Sequence, residues 1–499
     1  MRIIGLIRKY GVIGFLVKAE EKLRSDVNRT YSRDYCNTIP DKNILQNQTD
    51  RRFGYEPLIS IVVPAYNTDK IMLKELMESV INQSYSKWQL CIADASNSDS
   101  VSDVVKEYSH DSRIVYKKLK KNGGISENTN EGFTMADGEY IALLDHDDCL
   151  SRDALYEMVN AMNFDCDNIP ELLYSDEDKI SQDSSMHYAP HFKSDINREL
   201  LNHYNYICHF LVFKRDLLEK AGNLNKEYDG SQDYDFILRM VEQLPDSKIA
   251  HVRKVLYHWR VHNGSTAGFS GNKNYAYDAG IRALKAHFNR CGLNDTVVSG
   301  VKGQDYVDAD RTAYADVSQL VFNKADNINA CSAEWQKQLA QYFVDDSVGI
   351  AGGKIVTGGK ILSSGIAFNF DGEICHEFQG MKKYWKGYCT LAKVPREVSA
   401  VSLEFCAIRK DVYDKVGDIN YNLPSPYRDM EYAARVKKAG YKIVIDGRVT
   451  GSIKRSHFDK TAWQKGTVAK QYIPGWDSYI AEGDPFYNEK THICGYGCL

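Results

Sequence analysis

Alternating strand-like and helix-like segments between residues 57 and 148 constrain the fold of this chain most strongly. Residues 58–64 are an apolar, β-branched run that ends at a proline, and 88–93 and 140–144 are further apolar runs of strand length. Between the first two runs, the apolar residues of 72–83 recur at helical spacing. This order predicts an α/β fold with a mostly parallel sheet flanked by helices.

Polar residues follow three of these strands. Asn67 comes after the first strand, Asp94 ends the second, and Asp145 comes directly after the run 140–144. Ligands of parallel α/β sheets bind beyond the carboxyl ends of the strands. We therefore expect these three side chains to face one crevice.

Length and charge narrow the range of functions. A chain of 499 residues exceeds the size at which a single core stops growing, so we expect two domains with appendages. The formal net charge of −4 argues against nucleic-acid binding. No apolar stretch approaches the roughly 18 residues of a membrane-spanning helix, and the N-terminus lacks the pattern of a secretory signal. These features predict a cytoplasmic protein.

The cysteines and the first residues also bear on the compartment. The twelve cysteines are scattered without a Cys-x-x-Cys pair, which predicts reduced, mostly buried thiols. Residues 2–24 interleave apolar and basic side chains, which is typical of an amphipathic helix. Such a helix either packs on protein or rests on an anionic membrane surface. In the second case the protein is peripheral on the inner face of the cell membrane.

The second half of the chain repeats part of the first. Residues 210–225 match 405–420 position for position, and one inserted residue later 232–235 align with 428–431. A period of this length indicates domain duplication. The second copy is too short to hold the first strands, and 323–326 is predicted to replace the acidic run 145–148, with Lys324 and Ala325 at acidic positions. We expect a truncated, degenerate copy without a metal site.

The run Asp145-His146-Asp147-Asp148 offers the hard oxygen ligands that Mg²⁺ and Mn²⁺ prefer. An isolated acidic triplet is more often a turn in which Asp148 or Ser151 caps the following helix. The position at the end of a buried strand favours the metal interpretation, because a cation would offset the repulsion among the carboxylates.

A second acidic pair, Asp233 and Asp235, opens the helical run 236–240. Transfer of a group to an acceptor hydroxyl needs a base that takes the proton of that hydroxyl, and an aspartate suits that task. Aspartates at the start of a helix are also common as caps. We assign the base to Asp233 and a supporting role to Asp235.

Two further segments give weaker indications. Residues 122–126, Asn-Gly-Gly-Ile-Ser, lie between a strand and a helix, where backbone N–H groups suit an anionic ligand. They contain neither a Walker lysine nor Gly-x-Gly-x-x-Gly, which argues against a kinase or a dinucleotide enzyme. Residues 258–262 combine histidines with Trp259 and Arg260, which suit a metal, a sugar ring or base, and a diphosphate.

Residues 57–290 resemble family 2 of the glycosyltransferases. The motifs that carry the resemblance, in uninterrupted order, are 59–67, 90–96, 122–126, 143–148, 174–179, 230–235 and 257–260. The resemblance implies a Rossmann-like GT-A fold and an inverting reaction that uses a nucleotide sugar. The second half resembles the tail of another such domain, as in bacterial two-domain enzymes that build capsule, O-antigen or other surface polysaccharides.

The residues and the resemblance together assign the following roles. Asp233 is the catalytic base, and Asp147 with His262 holds Mn²⁺ or Mg²⁺ on the diphosphate. The residues that bind the donor are Pro64, Ala65, Tyr66, Asn67, Asp94, Asn122, Gly123, Gly124, Ser126, Asp145 and His146. The supporting or acceptor-side residues are Asp148, Asp176, Asp235, Trp259 and Arg260. Residues 94–96, Asp-Ala-Ser, depart from the Asp-Asp or Asp-Gly that is commoner in the family. The preference for one nucleotide base of the donor is therefore left open.

We predict an N-terminal segment with linker (1–56), a catalytic GT-A domain (57–297), a linker (298–315), a degenerate GT-A-like α/β domain (316–460) and a tail (461–499). The predicted function is metal-dependent hexosyl transfer from a nucleotide sugar to a growing cell-surface glycan or a lipid-linked acceptor. The sequence is compatible with a homo-oligomer. One alternative is a non-catalytic scaffold that binds nucleotide sugar or glycan in a polysaccharide assembly complex. Another, a sugar-phosphate nucleotidyltransferase, is disfavoured because residues 65–69 lack a glycine-rich, arginine-containing loop.

Overall fold

The computed structural model describes residues 26–262, 273–300, 306–369, 372–454, 473, 476 and 483–487. The chain forms two compact units. The first unit comprises residues 34–196 and 204–309, and the second comprises 1–33, 197–203 and 310–499. The amphipathic helix expected at 2–24 and most of the tail 461–499 lie outside the described residues. The domain boundaries 57–297 and 316–460 stay predictions.

The strands up to residue 299 belong to the first unit. They are β1 (Ile59–Ala65), β2 (Trp88–Asp94), β3 (Ile114–Lys118), β4 (Tyr140–Leu143), β5 (Cys149–Leu150), β6 (Leu172–Ser181), β7 (His187–His191), β8 (Leu211–Lys214), β9 (Ile249–Val261) and β10 (Thr296–Ser299). The helices of the same stretch are α1 (Asp26–Cys36), α2 (Lys42–Asp50), α3 (Lys70–Ile81), α4 (Ser100–Glu107), α5 (Ile125–Phe133), α6 (Ala154–Met162), α7 (Arg198–Leu201), α8 (Arg215–Ala221), α9 (Gln232–Glu242) and α10 (Lys273–Arg290).

The sheet of the first unit has the order β3-β2-β1-β4-β8-β6-β9-β5, and β7 pairs with β6. The strands β3, β2, β1 and β4 are mutually parallel, as the alternation of strands and helices predicts. β8 then lies antiparallel to both β4 and β6, while β6 and β9 are again parallel. The result is a mixed α/β sheet of the GT-A type, whose parallel half contains the strand ends that carry Asn67, Asp94 and Asp145.

The core of the first unit follows from the apolar patterns. Every residue of β1 and β2 is buried. Helix α3 begins after Asp69, whose side chain accepts hydrogen bonds from the N–H groups of Ile71 and Met72, and it buries its apolar residues at spacings of three and four. These elements form one hydrophobic cluster with β4, α6 and β9. A rigid core of this kind fixes the positions of the strand ends.

The second unit contains a smaller sheet. The strands of the second unit are β12 (Leu320–Lys324), β13 (Ile328–Ala330), β14 (Val348–Thr357), β15 (Lys360–Ser363), β16 (Ile366–Phe368), β17 (Ile374–His376), β18 (Arg396–Glu397), β19 (Phe405–Arg409) and β20 (Lys442–Ile453). Of these, β16 and β17 form a separate two-stranded sheet. β11 (Asp308–Arg311) spans the change from one unit to the other. The further helices are α11 (Trp335–Ala340), α12 (Lys410–Val416) and α13 (Tyr427–Lys438).

The second sheet repeats one half of the first. Its order is β12-β19-β14-β20-β13, with β15 on β14, which corresponds strand by strand to β4-β8-β6-β9-β5 with β7 on β6. The parallel or antiparallel sense of each pair is the same in both sheets. Counterparts of β1, β2 and β3 are absent from the described part of this sheet. The second copy therefore lacks the strands that carry Asn67 and Asp94.

The pairing register corrects the expected match between the two copies. Tyr140 pairs with Lys214 and Leu320 pairs with Arg409, and residues 214 and 409 are equivalent in the repeated segment. The counterpart of 145–148 is therefore 325–328, two residues later than the prediction of 323–326. Pairing of β5 with β9 and of β13 with β20 gives the same register. Ala325, Asn327 and Ile328 replace the three aspartates.

Residues 197–203 are part of the second unit although their sequence neighbours belong to the first. The Asn197 side chain donates to the Glu397 carbonyl (3.0 Å) and accepts from the Glu397 N–H (2.9 Å). Glu199 also forms an ion pair with Arg311 (2.9 Å). These bonds fix α7 on β18.

Two observations bear on compartment and thiols. Among the described cysteines Cys375 is disulfide-bonded, nine are unpaired, and of these nine only Cys91 and Cys406 are buried. For these residues the expectation of mostly buried thiols was wrong, and the expectation of reduced thiols fails at Cys375, because scattered positions in a sequence do not reveal which residues meet in space. Among the described residues, no helix combines the length and apolar character needed to cross a membrane.

Candidate active site

Asp94 forms the buried end of β2. Its Oδ1 accepts a hydrogen bond from the Ser96 N–H (2.8 Å), and its Oδ2 accepts from the Tyr116 hydroxyl (2.7 Å) and from Lys118 Nζ (3.0 Å). Burial by itself would raise the pKa of Asp94, but these hydrogen bonds outweigh it and lower that pKa below its ordinary value. Asp94 is therefore a fixed carboxylate at the end of its strand.

The end of β1 lies beside Asp94. Pro64 and Ala65 are its last residues and are buried. Asn67 then adopts a left-handed backbone conformation (φ 49°), and its N–H donates to Ser96 Oγ (2.7 Å). The Tyr66 side chain is exposed next to this turn. The loops after β1 and β2 are thus bound to each other, and they form the edge predicted to bind the donor.

Residues 122–126 form a tight turn before α5. Asn122 Oδ1 accepts from the Gly124 N–H (3.0 Å), and Gly123 and Gly124 are partly buried. The buried Ser126 hydroxyl donates to Asp229 Oδ1 (2.5 Å). Gly124 has a positive φ of 98°, and a Cβ added there would lie 2.8 Å from Asp229 Oδ2. Glycine is therefore required for the close approach of this turn to Asp229.

The side chains of residues 145–148 point in different directions. Asp148 is fully buried, where its Oδ2 accepts from the Tyr257 hydroxyl (2.5 Å) and its Oδ1 from the Arg260 N–H (2.7 Å). His146 Nδ1 is also buried and has no hydrogen-bond partner in the part of the chain that the structure describes. The Asp145 side chain, in contrast, is 51% exposed. Asp148 anchors the acidic loop and does not cap α6, while Asp145 faces solvent.

Asp147 and His262 lie together at the rim of this loop. Asp147 Oδ2 is 2.7 Å from His262 Nε2, and both side chains are about one-fifth exposed. Mg²⁺ and Mn²⁺ usually take one or two protein ligands and complete their shell with phosphate oxygens and water. The accessible carboxylate and imidazole fit that requirement. Clusters of three or more donors found among the described residues do not include Asp147, so the remaining ligands would come from substrate and water.

Arg260 lies beneath the acidic loop. Its Nε donates to the Asp147 carbonyl (2.7 Å), and its Nη2 pairs with Glu75 Oε2 (2.7 Å). The remaining N–H groups donate to Gln182, Ser184 and Cys149. All five guanidinium donors are thus occupied, so Arg260 supports the loop and has none left for a diphosphate.

Trp259, the neighbour of Arg260 in β9, is only partly buried. Lys179 Nζ lies 4.9 Å from the centre of its ring, which is the range of a cation–π interaction. The centre of the ring also lies 5.8 Å from that of His209. A role of Trp259 toward the acceptor stays a prediction.

Asp233 lies in the first turn of α9. Its Oδ2 accepts a hydrogen bond from Asn205 Nδ2 (2.8 Å), and Cys208 Sγ lies 3.7 Å from the same oxygen. Cys208 Sγ is also 3.7 Å from His209 Nε2, which in turn lies 3.8 Å from Asp145 Oδ2. This chain of contacts connects Asp233 to the acidic loop. The residue predicted as base is therefore linked by two intervening side chains to Asp145, a residue predicted to bind the donor.

Asp235 and Asp176 are fully buried and belong to the framework of the site. Arg239 donates to Asp235 Oδ2 through Nε (2.9 Å) and Nη2 (2.7 Å). Asp176 Oδ1 accepts from the Lys193 N–H (2.8 Å) and lies 2.9 Å from His251 Nε2. Asp235 Oδ1 is buried and has no hydrogen-bond partner among the described residues. Because both side chains are fully buried, a supporting role fits them better than direct contact with an acceptor.

Comparison with known proteins identifies the family of the segment that carries the first part of this site, up to residue 222. Residues 60–222 match the profile of glycosyl transferase family 2. The chain contains a family 2 glycosyltransferase domain. An uncharacterised protein of Sinorhizobium fredii is 30% identical over 480 residues, which is 79% of this chain and 52% of that protein. An O-antigen biosynthesis protein of Myxococcus xanthus is 35% identical over 251 residues, which is 50% of this chain and 19% of that protein.

The chain thus spans about half the length of the first of these relatives and about a fifth of the second. Among solved structures, the S. aureus protein TarS in complex with UDP-GlcNAc is 17% identical, with a TM-score of 0.38. The match covers 46% of this chain and 66% of that chain.

Several residues of the glycosyltransferase site were missed in the sequence. They are Glu177, Asn205, Cys208, His209 and Asp229. Glu177 lies inside a recognised motif, 174–179, while His209 and Asp229 directly precede the repeated segment 210–225 and the motif 230–235. The others were hidden because their partners are distant in the chain.

The second unit retains a counterpart of Asp233. Asp429 is fully buried in the first turn of α13, where its Oδ1 accepts from Arg428 Nε (3.2 Å) and its Oδ2 from the Ser425 hydroxyl (2.8 Å). Asp429 is therefore bound to an arginine, whereas its counterpart Asp233 in the glycosyltransferase domain accepts from the amide of Asn205. This pairing is a physical reason to expect no catalysis from Asp429.

Replacing Asp429 with asparagine should change how stability depends on pH. Burial raises the pKa of Asp429 to about 6 from its ordinary 3.8, although Arg428 and Ser425 oppose the shift. Between pH 3.8 and about pH 6 the folded wild type keeps a proton on Asp429 that the unfolded chain releases. The wild type therefore loses up to about 3 kcal/mol of folding free energy as the pH rises through this window, whereas an asparagine at this position does not titrate. We expect the melting temperature of Asp429→Asn, relative to wild type, to increase from pH 4 to pH 7.

Thermal unfolding across that pH range tests this expectation. The matched control is Asp326→Asn, which changes an exposed carboxylate of the same unit. A difference between Asp429→Asn and wild type that does not vary with pH would contradict the assignment of a raised pKa to Asp429.

Proposed function

We propose that the glycosyltransferase domain transfers a hexose with inversion from a nucleotide sugar to a growing cell-surface glycan or a lipid-linked acceptor. The observation that supports this most is the chain of contacts from Asp233 through Cys208 and His209 to exposed Asp145, whose loop also holds Asp147 paired with His262. Inverting transfer needs these three elements at once: a site for the donor, charge neutralisation at the leaving group, and a base.

Asp233 acts as the general base. The acceptor hydroxyl attacks the anomeric carbon of the donor sugar as its proton passes to Asp233, and the bond from that carbon to the diphosphate breaks. The Asn205 amide donates to Oδ2 of Asp233 and so orients the carboxylate. One displacement of this kind inverts the configuration at the anomeric carbon.

Asp147 and His262 would hold Mn²⁺ or Mg²⁺ at the donor side of the site. When bound, the cation neutralises the charge that develops on the leaving diphosphate. Arg260 and Asp148 fix the loop from below, because the former binds the Asp147 carbonyl and the latter accepts the Arg260 N–H. Asp94 and Asn67 form the wall for the nucleoside, and Asp145 lies near its ribose.

The acceptor class is supported by the relatives, since one of them is named for O-antigen biosynthesis. In its described residues, the second unit has no counterparts of the strand ends with Asn67 and Asp94 or of the three aspartates of the acidic loop. It therefore serves to dock the acceptor or a partner and transfers no sugar. A cytoplasmic location, peripheral on the inner face of the membrane through residues 2–24, completes the proposal.

Nucleotide release tests the proposed function. The full-length protein is incubated with Mn²⁺ and UDP-glucose, UDP-galactose, UDP-N-acetylglucosamine or GDP-mannose, with and without a glycan acceptor. We expect release of nucleoside diphosphate from one donor, and loss of that release when the cation is chelated. A non-catalytic scaffold would instead bind a nucleotide sugar, detected as an increase in melting temperature, and release no nucleotide.

A further inference from the structure

His209 lies between a buried carboxylate and the acidic loop of the crevice. On one side, His209 Nδ1 is 3.1 Å from Glu177 Oε2, and the His209 N–H donates to the same oxygen (3.3 Å). On the other side, its Nε2 is 3.8 Å from Asp145 Oδ2. The imidazole therefore connects the protein interior with the exposed carboxylate next to the donor site.

Glu177 is held by two other side chains besides His209. It is 7% exposed, with His191 Nδ1 3.3 Å from Oε1 and Lys193 Nζ 3.4 Å from Oε2. Burial would raise the pKa of Glu177, but Lys193, His191 and His209 outweigh it and hold that pKa well below its ordinary range. Burial would likewise lower the pKa of His209, yet Cys208 and Glu177 raise it well above its ordinary range.

The ring of His209 also packs under the acidic loop. It stacks on Tyr257 with 4.5 Å between ring centres and 9° between planes. The Tyr257 hydroxyl donates to Asp148 Oδ2 (2.5 Å) and accepts from the Asp145 N–H (3.3 Å). His209 thus contacts the loop twice, through the Asp145 carboxylate and through the tyrosine that holds the Asp145 backbone.

The second unit supplies an internal comparison. By pairing register and by the repeated segment, Ile355 stands for Glu177, Glu404 for His209 and Gly451 for Tyr257. The ion pair between Asp235 and Arg239, in contrast, has a counterpart in the second unit, where Glu431 pairs with Arg435. The second copy has therefore kept the fold-bearing pair and lost every member of the group around His209, together with the counterpart of Asp145.

We propose that His209, held by Glu177, is a positioning residue that orients the Asp145 carboxylate for the sugar donor. The role deepens the proposed function and rests on it. It gives a reason why His209, Glu177 and Tyr257, which make no direct contact with Asp233, lie around Asp145 and its loop. It also predicts that these residues act on donor binding and act through Asp145.

Steady-state kinetics of nucleotide release test this role, with the nucleotide sugar of the panel above that the wild type turns over. His209→Gln and Glu177→Gln should each raise the donor KM roughly fivefold, the effect of losing an ion pair with a half-exposed carboxylate, and leave kcat within about twofold. Because Asp145→Asn removes the group on which His209 acts, His209→Gln in that background should raise KM by less than about twofold more.

His287→Gln is the matched control. His287 Nδ1 lies 2.6 Å from Glu242 Oε1, with Cys291 Sγ 3.7 Å from the ring, so the same three residue types meet at the opposite end of α9 from Asp233. This variant should keep the donor KM of the wild type. Melting temperatures of all variants separate loss of the folded state from loss of donor binding.

The outcomes distinguish the two proposals. A wild-type protein that releases no nucleotide would overturn the proposed function and the positioning role with it. An active wild type whose donor KM is unaltered by His209→Gln and Glu177→Gln would overturn the positioning role alone. So would multiplicative effects of His209→Gln and Asp145→Asn, or loss of the folded state in both single variants, which would place the pair in the structural core.

Discussion

The Asp233→Asn variant should lose glycosyl transfer almost completely and keep its affinity for the donor. Asparagine has the shape of aspartate and still offers an oxygen to the Asn205 amide, which donates to Asp233 Oδ2 at 2.8 Å. It does not accept the proton of the acceptor hydroxyl. Because a general base contributes about 10²–10⁴ in rate, we expect kcat for transfer to fall by about 10³-fold.

Transfer to acceptor and donor binding must be measured separately for this variant. The rate is followed as acceptor-dependent nucleotide release, and donor affinity as the increase in melting temperature with nucleotide sugar and Mn²⁺. The matched control is Asp429→Asn, which changes the equivalent carboxylate of the second unit and should leave the transfer rate intact. A fully active Asp233→Asn protein would refute the assignment of the base.

Removal of the Asp147 side chain should have the other large effect. Asp147→Ala takes away the carboxylate of the Asp147–His262 pair, whose two atoms lie 2.7 Å apart. A bound cation supplies several kcal/mol of stabilisation to the charge on a leaving diphosphate, so its loss corresponds to a decrease of about 10³-fold or more in turnover. We expect no recovery at high Mn²⁺ concentration.

Turnover as a function of Mn²⁺ concentration is the measurement for Asp147. Asn327→Ala alters the position that the strand register makes equivalent in the second unit, and it should behave as the wild type. An Asp147→Ala protein that retained the wild-type dependence on Mn²⁺ would show that the cation binds elsewhere, and the roles of Asp147 and His262 would then have to be abandoned.

The placement of the crevice was predictable because it follows from short-range patterns. Apolar runs of strand length and the helical spacing between them define where each strand ends. Asn67, Asp94 and Asp145 follow from those ends and lie along one edge of the sheet in the structure. The duplication was equally visible, since it is a comparison of the sequence with itself.

The direction of each side chain was not predictable. Asp145, Asp147 and Asp148 are neighbours in one loop, yet of the three only Asp148 is fully buried. The Tyr257 hydroxyl and the Arg260 N–H donate hydrogen bonds to its carboxylate there. These partners come from β9, more than a hundred residues later in the chain. The exact register of the second copy was missed for the same reason, since it is defined by pairing between strands.

The sequence by itself determined the α/β class, the edge of the sheet that carries the polar strand ends, and the family of the domain at 60–222. Only the tertiary structure decided which acidic and basic residues line the crevice and which support it from inside. Asp148, Asp176, Asp235 and Arg260 are buried and bound to residues distant in sequence or on the same helix, while His209, absent from every prediction, lies beside Asp145. The physical reason is that a charged side chain enters the interior only where the fold brings it a hydrogen-bonding partner, and those partners are distant in sequence.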